Sequence, residues 1–276
     1  MPISHAFVLG LVQGLSEFLP ISSSGHLLLV PWLFGWNDFD DESTKKAFDV
    51  ALHIGTLGAA VIYFRNDLAR YVRAGLGSLG RRGEPMSTDA RVAWLLLAST
   101  VPAALVGAVL EEWIDEQLGT PLIIAISLIV FGLLLGIADR ATGMRAVERY
   151  GWRDAFAVGS AQALALNPGT SRSGITITAS RFKGFSRDAA ARISFLMMIP
   201  VTAGAIVFKV GGMAAEGIPP DLYAPMAVGI ATSAISGWIA VWGTLRLVRT
   251  KSFTPFVIYR VALGLFVLVV LATGWR

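Results

Sequence analysis

Leu19-Pro20-Ile21-Ser22-Ser23-Ser24-Gly25-His26 and Asn167-Pro168-Gly169-Thr170-Ser171-Arg172-Ser173-Gly174 are the two stretches on which the fold turns. Each interrupts an apolar segment, 3–34 in the first case and 156–182 in the second. Runs of proline, glycine and serine end helices. At membrane depth, irregular backbone is tolerated only where protein buries it or it lines a wet cavity. Both segments therefore read as helix–break–helix hairpins that enter and leave on one side.

The rest of the chain supplies the membrane. Of 276 residues, 54% are hydrophobic and only 15% charged, with a mean hydropathy of +0.63. A soluble domain carries about 25% charged residues. There is no cysteine, which excludes disulfides and thiolate metal sites, and three histidines are too few for a His-rich cluster. The N-terminus lacks a basic n-region, so no cleavable signal peptide is expected. Nothing in composition or motif calls for nucleic acid.

Outward from the hairpins, uncharged runs at 92–110, 117–138 and 222–245 are long enough to cross a bilayer. Three more, 47–64, 192–208 and 253–275, become so by taking in a terminal charge. Six crossings and two hairpins put Arg65, Arg70, Arg73, Arg81, Arg82 and Arg91 on one side with Arg140, Arg145, Arg149 and Arg153. Arg181, Lys183, Arg187, Arg192, Arg246, Arg249 and Lys251 join them. Loops rich in Lys and Arg stay in the cytoplasm. The opposite loops hold Asp38, Asp40, Asp41 and Glu42, and Glu111, Glu112, Asp115 and Glu116. The first hairpin then enters from outside, the second from inside, and both termini lie outside.

The hairpins are also related to each other. A shift of 149 residues places Ala6, Phe7, Gly10, Gln13, Leu15, Ser22, Ser24 and Gly25 on Ala155, Phe156, Gly159, Gln162, Leu164, Ser171, Ser173 and Gly174. A shift of 146 places Thr56, Gly58, Ala59 and Val61 on Thr202, Gly204, Ala205 and Val207. The chain thus reads as one membrane domain of two repeats, about 3–138 and 153–275, each with one hairpin and three crossings. Three is odd, so the second repeat is inverted, a pattern in which broken helices meet near the midplane. The expected fold class is an all-α integral membrane protein with six transmembrane helices, two re-entrant hairpins and an inverted-topology repeat.

The breaks carry the chemistry. Glu17 is the only acid in the first 37 residues, and Arg172 the only cation between Arg153 and Arg181. An intramembrane charge costs about 2.5–3.5 kcal/mol and marks function by default. A plain structural ion pair between the two is the bland alternative. Gln13 and Glu17, at i,i+4, share a helix face. Ser22, Ser23 and Ser24 open one half-helix, and Ser171, Arg172 and Ser173 the other, with Thr176 one turn on. One serine suffices for a cap. The surplus suits an anion site, since free N–H groups and the helix dipole attract anions and an arginine fork grips phosphate. His26, beside three serines, reads as a nucleophile or general acid/base. His5 and His53 read as structural. Nucleophile, proton carrier and cation together suit phosphoryl transfer.

At these residues the sequence resembles the undecaprenyl-pyrophosphate phosphatase family of bacterial membranes, the bacitracin-resistance type. Gln13 to His26 follows its (Glu/Gln)-x-x-x-Glu motif and the serine–glycine–histidine run. Pro168 to Thr176 follows its Pro-Gly-x-Ser-Arg-Ser-x-x-Thr motif. The resemblance covers essentially the whole chain. It implies removal of the terminal phosphate of a C55 polyprenyl pyrophosphate, which recycles the carrier lipid of peptidoglycan synthesis and confers bacitracin resistance. The setting it implies is the bacterial cytoplasmic (inner) membrane. Glu17, Ser23, His26 and Arg172 fall on catalytic positions. Gln13, Ser22, Ser24, Ser171, Ser173 and Thr176 are expected to bind substrate. Gln13 stands where a carboxylate would add a metal ligand, so Glu17 is the expected contact for Mg2+ or Ca2+. Ser23 is favoured as nucleophile with His26 as its acid or base, and the reverse stays open. The competing class is a phosphate or lipid-phosphate transporter on the same frame. The small-residue face Gly55-Thr56-Leu57-Gly58-Ala59-Ala60 suits packing within the chain or between protomers.

Overall fold

A computed structural model describes all residues except 40, 81–84, 214–218 and 276, and the side chains of 111, 112, 115, 116 and 211–213. Asp40, Arg81, Arg82 and the side chains of Glu111, Glu112, Asp115 and Glu116 therefore lie outside the described residues. Among the described residues the elements are helices joined by loops, with one isolated bridge between Arg145 and Phe185. The helices are α1 (Ile3–Phe18), α2 (Ser23–Phe34), α3 (Glu42–Tyr63), α4 (Arg65–Leu79), α5 (Thr88–Ala98) and α6 (Val101–Leu118). They continue as α7 (Pro121–Asp139), α8 (Trp152–Ala163), α9 (Arg172–Phe182), α10 (Arg187–Met213), α11 (Tyr223–Val248) and α12 (Thr254–Thr273).

Six segments among the described residues are long and apolar enough to cross a membrane: Glu42–Tyr63, Thr88–Leu110, Pro121–Asp139, Arg187–Val210, Pro220–Val248 and Thr254–Thr273. They match the six expected crossings. Large apolar side chains such as Val109, Phe156, Val207 and Phe208 point outward, as a lipid-facing surface requires. Capping side chains start several of these helices. Asp41 accepts from the Thr44 N–H at 2.6 Å, Ser87 from Ala90 at 3.2 Å and Thr120 from Ile123 at 3.4 Å.

Two details differ from the sequence reading. The run at 92–110 is divided between α5 and α6, because Ser99 and Thr100 turn their hydroxyls back onto the Leu95 and Leu97 carbonyls and Pro102 cannot continue the ladder. The basic stretch 64–91, a loop by its charges, contains α4. Its charges masked an apolar face of Leu68, Tyr71, Val72, Leu76 and Leu79 at helical spacing, the pattern of a helix lying at a membrane interface.

Each broken segment is tied at its two ends. His5 at the start of α1 meets Asp38, just past α2, at 2.8 Å and stacks on Trp36. Arg145 joins Asp154 at the start of α8 (2.5 Å) to the Lys183 carbonyl at the end of α9 (2.7 Å). The breaks themselves match. Leu19 precedes a proline and is extended, which stops α1. Ser22 (φ 80°) and Ser171 (φ 72°) are the two non-glycine residues with left-handed φ among the described residues. Both cap the next helix, through Gly25 N–H at 3.3 Å and Gly174 N–H at 3.0 Å.

Close helix packing holds the first break in place. A Cβ on Gly10, Gly14 or Gly55 would strike Thr232, Ser236 or Ser233 of α11. Gly55, Ala59 and Ala60 are thus used within the chain, whereas Gly58 faces open space. A buried core cluster includes the aromatic residues Phe18, Phe64, Tyr150, Phe185, Phe195 and Phe253.

Candidate active site

α1 delivers Glu17 in its last turn, and the two breaks deliver Ser23 and Arg172 as the first residues of α2 and α9. Glu17 Oε1 accepts from Arg172 Nη2 at 2.9 Å. Its Oε2 accepts from Ser23 Oγ at 2.5 Å and from Gln13 Nε2 at 3.3 Å. Arg172 also donates to the Ser194 carbonyl at 3.2 Å, which fixes the fork. Glu17 and Gln13 are buried, while Ser23 is half-buried and Ser24 exposed. Glu17, Ser23, Ser24, Ser171 and Arg172 line a cavity of about 380 Å³. A hydroxyl, the carboxylate that accepts its hydrogen bond and a cation thus meet at the N-termini of two helices, and such termini bind anions.

The remaining serines hold the frame. Ser22 Oγ accepts from Gly25 and, at 3.1 Å, from the Gly169 N–H of the other break. Ser173 Oγ donates to the Leu19 carbonyl at 3.2 Å and lies 3.2 Å from Ser171 Oγ. Thr176 Oγ1 is fully buried, 2.8 Å from both the Arg172 carbonyl and Ser194 Oγ. Ser22, Ser173 and Thr176 therefore shape the site from behind.

The family model described as bacitracin resistance protein BacA matches residues 6–266. The chain belongs to the BacA family. It is 49% identical over 266 residues to a Geobacter sulfurreducens protein named undecaprenyl-diphosphatase, with 96% of each chain covered. A Geobacter metallireducens protein of that name is 47% identical with the same coverage. A Pelobacter propionicus one is 45% identical over 99% of each chain.

In this BacA-family chain the expected pairing of His26 with Ser23 is absent: Ser23 donates to Glu17 instead. His26 is buried with both ring nitrogens engaged, Nδ1 with the Ser22 carbonyl at 2.6 Å and Nε2 with Tyr259 Oη at 2.7 Å. A carbonyl only accepts, so Nδ1 carries the proton and Nε2 accepts from the tyrosine. The α2 backbone sets this, since a histidine four residues after Ser22 reaches back along its own helix.

Three features escaped the sequence reading. Tyr259 is the first, a polar residue in a span read only for length. Arg260 is the second. It lies two turns into α12, is fully buried, and donates to Pro20 O (3.1 Å) in one break and Gly169 O (2.8 Å) in the other. Its mid-span position was the available signal. The third is a stripe on α3: Glu42, Lys45, Lys46, Asp49 and His53 line the cavity opposite Lys209 of α10. Their i,i+3 and i,i+4 spacing was the available signal. His53 therefore faces the site cavity.

Proposed function

We infer that this protein hydrolyses undecaprenyl pyrophosphate to undecaprenyl phosphate and inorganic phosphate. That reaction recycles the carrier lipid of peptidoglycan synthesis and underlies bacitracin resistance. The observation that carries this reading is Glu17 holding both the Ser23 hydroxyl and Arg172 at two helix N-termini, in a chain whose relatives are named for that reaction. The pyrophosphate displaces Arg172 from Glu17 and takes its fork, which matches phosphate oxygens. Ser23 Oγ attacks the terminal phosphorus as Glu17 takes its proton. The bond to the bridging oxygen breaks, and the lipid monophosphate leaves with that proton. Water, deprotonated by Glu17, then splits the phosphoserine and regenerates the hydroxyl. Ser24 and the free amides of α2 and α9 bind the developing charge. His26 orients the first turn of α2 in this scheme, and His26 as nucleophile is the variant that phosphoenzyme trapping separates.

A divalent cation, Mg2+ or Ca2+, fits the donor set in one respect: Gln13 Oε1 is a buried oxygen without a partner, four residues from Glu17. Among the described residues no three His, Asp or Glu side chains group as a metal cage. This suits a cation held by Glu17, the Gln13 amide and the substrate phosphates, as magnesium sites commonly are. Such an ion would supply further charge neutralisation.

The frame is a single membrane domain of two inverted repeats, about 3–138 and 153–275, in the bacterial cytoplasmic membrane, with re-entrant hairpins at 3–34 and 156–182. The latches His5–Asp38 and Arg145–Asp154 support hairpins whose ends lie together. The matched caps Ser22 and Ser171 support the repeat. Both termini lie outside, and the cavity opens outward between Glu42 and Lys209. Lys45, Lys46 and Lys209 at that mouth offset the acidic outer loops. Phosphate release by purified protein in detergent tests the hydrolase. A transporter needs two compartments and would release none. Arg172→Ala with full activity would remove the site.

A further inference from the structure

Arg172 is neutralised at rest, because Glu17 sits 2.9 Å from it. Among the described residues Arg260 has no such partner: it is fully buried, and each acceptor of its guanidinium is a carbonyl, Leu128 at 3.2 Å, Ser127 at 3.5 Å, Pro20 at 3.1 Å, Gly169 at 2.8 Å and Thr170 at 2.9 Å. Carbonyl dipoles solvate a cation but leave its charge. Pro20 and Gly169 occupy the same place in the two breaks, 149 residues apart. A Cβ on Gly174 would come 2.8 Å from Arg260 Nη1, so the guanidinium lies against Gly174 in the first turn of α9. Unpaired buried charges are costly and are seldom retained without a counter-charge. A substrate with a diphosphate end would bring one.

We propose that Arg260 is a positioning residue whose guanidinium locks the two breaks in register and whose unneutralised charge is balanced by the diphosphate of the bound substrate. The proposal rests on the hydrolase reading for the identity of that anion. Its two parts separate by chemistry. The fork, with donors in five directions, is needed to reach carbonyls of both breaks. The charge alone is needed to draw the anion. Lysine keeps the charge and loses the fork, and glutamine loses the charge.

The test uses the full chain in detergent, with direct calorimetric binding of inorganic pyrophosphate beside kcat and KM for the lipid substrate. Arg260→Gln is expected to weaken pyrophosphate binding and raise KM by about tenfold or more, the loss of one charge-assisted contact. Arg260→Lys is expected to bind pyrophosphate within about threefold of the parent while kcat falls about tenfold, since the breaks lose register. A folded Arg260→Gln whose pyrophosphate affinity stays within twofold overturns the charge. Should Arg260→Gln fail to fold, Arg260→Lys decides alone. Affinity lost in step with kcat overturns the proposal, and affinity kept while kcat falls supports it. A parent protein that binds pyrophosphate through Arg260 yet releases no phosphate from the lipid would sink the hydrolase reading and leave this one standing.

Discussion

The two breaks have the same backbone and different chemistry. Ser22 and Ser171 take the same left-handed φ, cap the same turn and sit 149 residues apart. The positions around them have diverged. Glu17 corresponds to Leu166, Ser23 to Arg172 and His26 to Ile175. One break supplies the carboxylate and hydroxyl, the other the cation. Two matched turns give two helix N-termini of the kind that attracts anions, but a reaction needs unlike groups there. The largest predicted effects therefore lie where the breaks differ. Ser23→Ala and Glu17→Gln should each lower kcat by at least ~10³-fold, measured as phosphate release. Arg172→Ala should do the same and also cost about 3–5 kcal/mol of stability, because buried Glu17 is left without its partner. Adding Glu17→Gln to Arg172→Ala should recover most of the melting temperature and none of the activity. If activity returns with stability, the pair is structural and the catalytic assignment is wrong.

Where the breaks agree, the effects should be smaller and unequal. Ser22 Oγ accepts two N–H groups, one from its own helix and one from Gly169 across the site, whereas Ser171 Oγ accepts one. Ser22→Ala should cost about 2 kcal/mol and Ser171→Ala about 1 kcal/mol in unfolding experiments in detergent, from one cap and one further buried donor. Equal costs would mean that the bond across the site contributes nothing.

Much of this was readable from residue order alone. The interruptions at Pro20 and at Pro168-Gly169 announced the breaks, since proline and glycine constrain backbone whatever surrounds them. Glu17 and Arg172 announced themselves as lone charges in apolar surroundings, where the cost of burial leaves few explanations. What was hidden depends on direction. Sequence places His26 three residues from Ser23, but the turn of α2 carries its ring back to Ser22 O and across to Tyr259, so the hydroxyl finds Glu17. By length and hydropathy Arg260 reads as a terminal charge of its span, whereas it lies two turns inside α12, and neither measure registers which carbonyls a guanidinium reaches. His53 looked structural as a lone histidine. Only the packing of α3 against α10 turns its stripe toward the cavity.

The Tyr259 contact turns the His26 question into a measurement. With His26 Nε2 as the nucleophile, the tyrosine proton caps the attacking lone pair, and Tyr259→Phe should leave kcat unchanged or raise it. With His26 as a structural anchor, Tyr259→Phe removes one buried hydrogen bond, and kcat should fall by about three- to tenfold with a stability loss near 1 kcal/mol. The Ser23–Glu17 bond favours the second outcome. A faster Tyr259→Phe enzyme, with trapped phosphate on histidine, would exchange the roles of Ser23 and His26.

The smallest effects belong to the cavity mouth, where positions related by the 146-residue shift differ again. By the 146-residue shift, Asp49 and His53 of α3 correspond to Phe195 and Ile199 of α10. Phe195 is fully buried in the aromatic core, while Asp49 and His53 line the open cavity. The wall that α3 gives the cavity is polar, and Lys45, Lys46 and Lys209 line it too. Rim charges mainly steer encounter, and salt screens them over about 8 Å at physiological ionic strength. Lys45→Gln and Lys209→Gln together should raise KM by about two- to fivefold at low salt, with little change in kcat, and the difference should fade above ~0.5 M salt. A KM defect that persists at high salt would mean that the lysines touch the bound diphosphate, which would carry the substrate's charged end further out along α3 than Arg172.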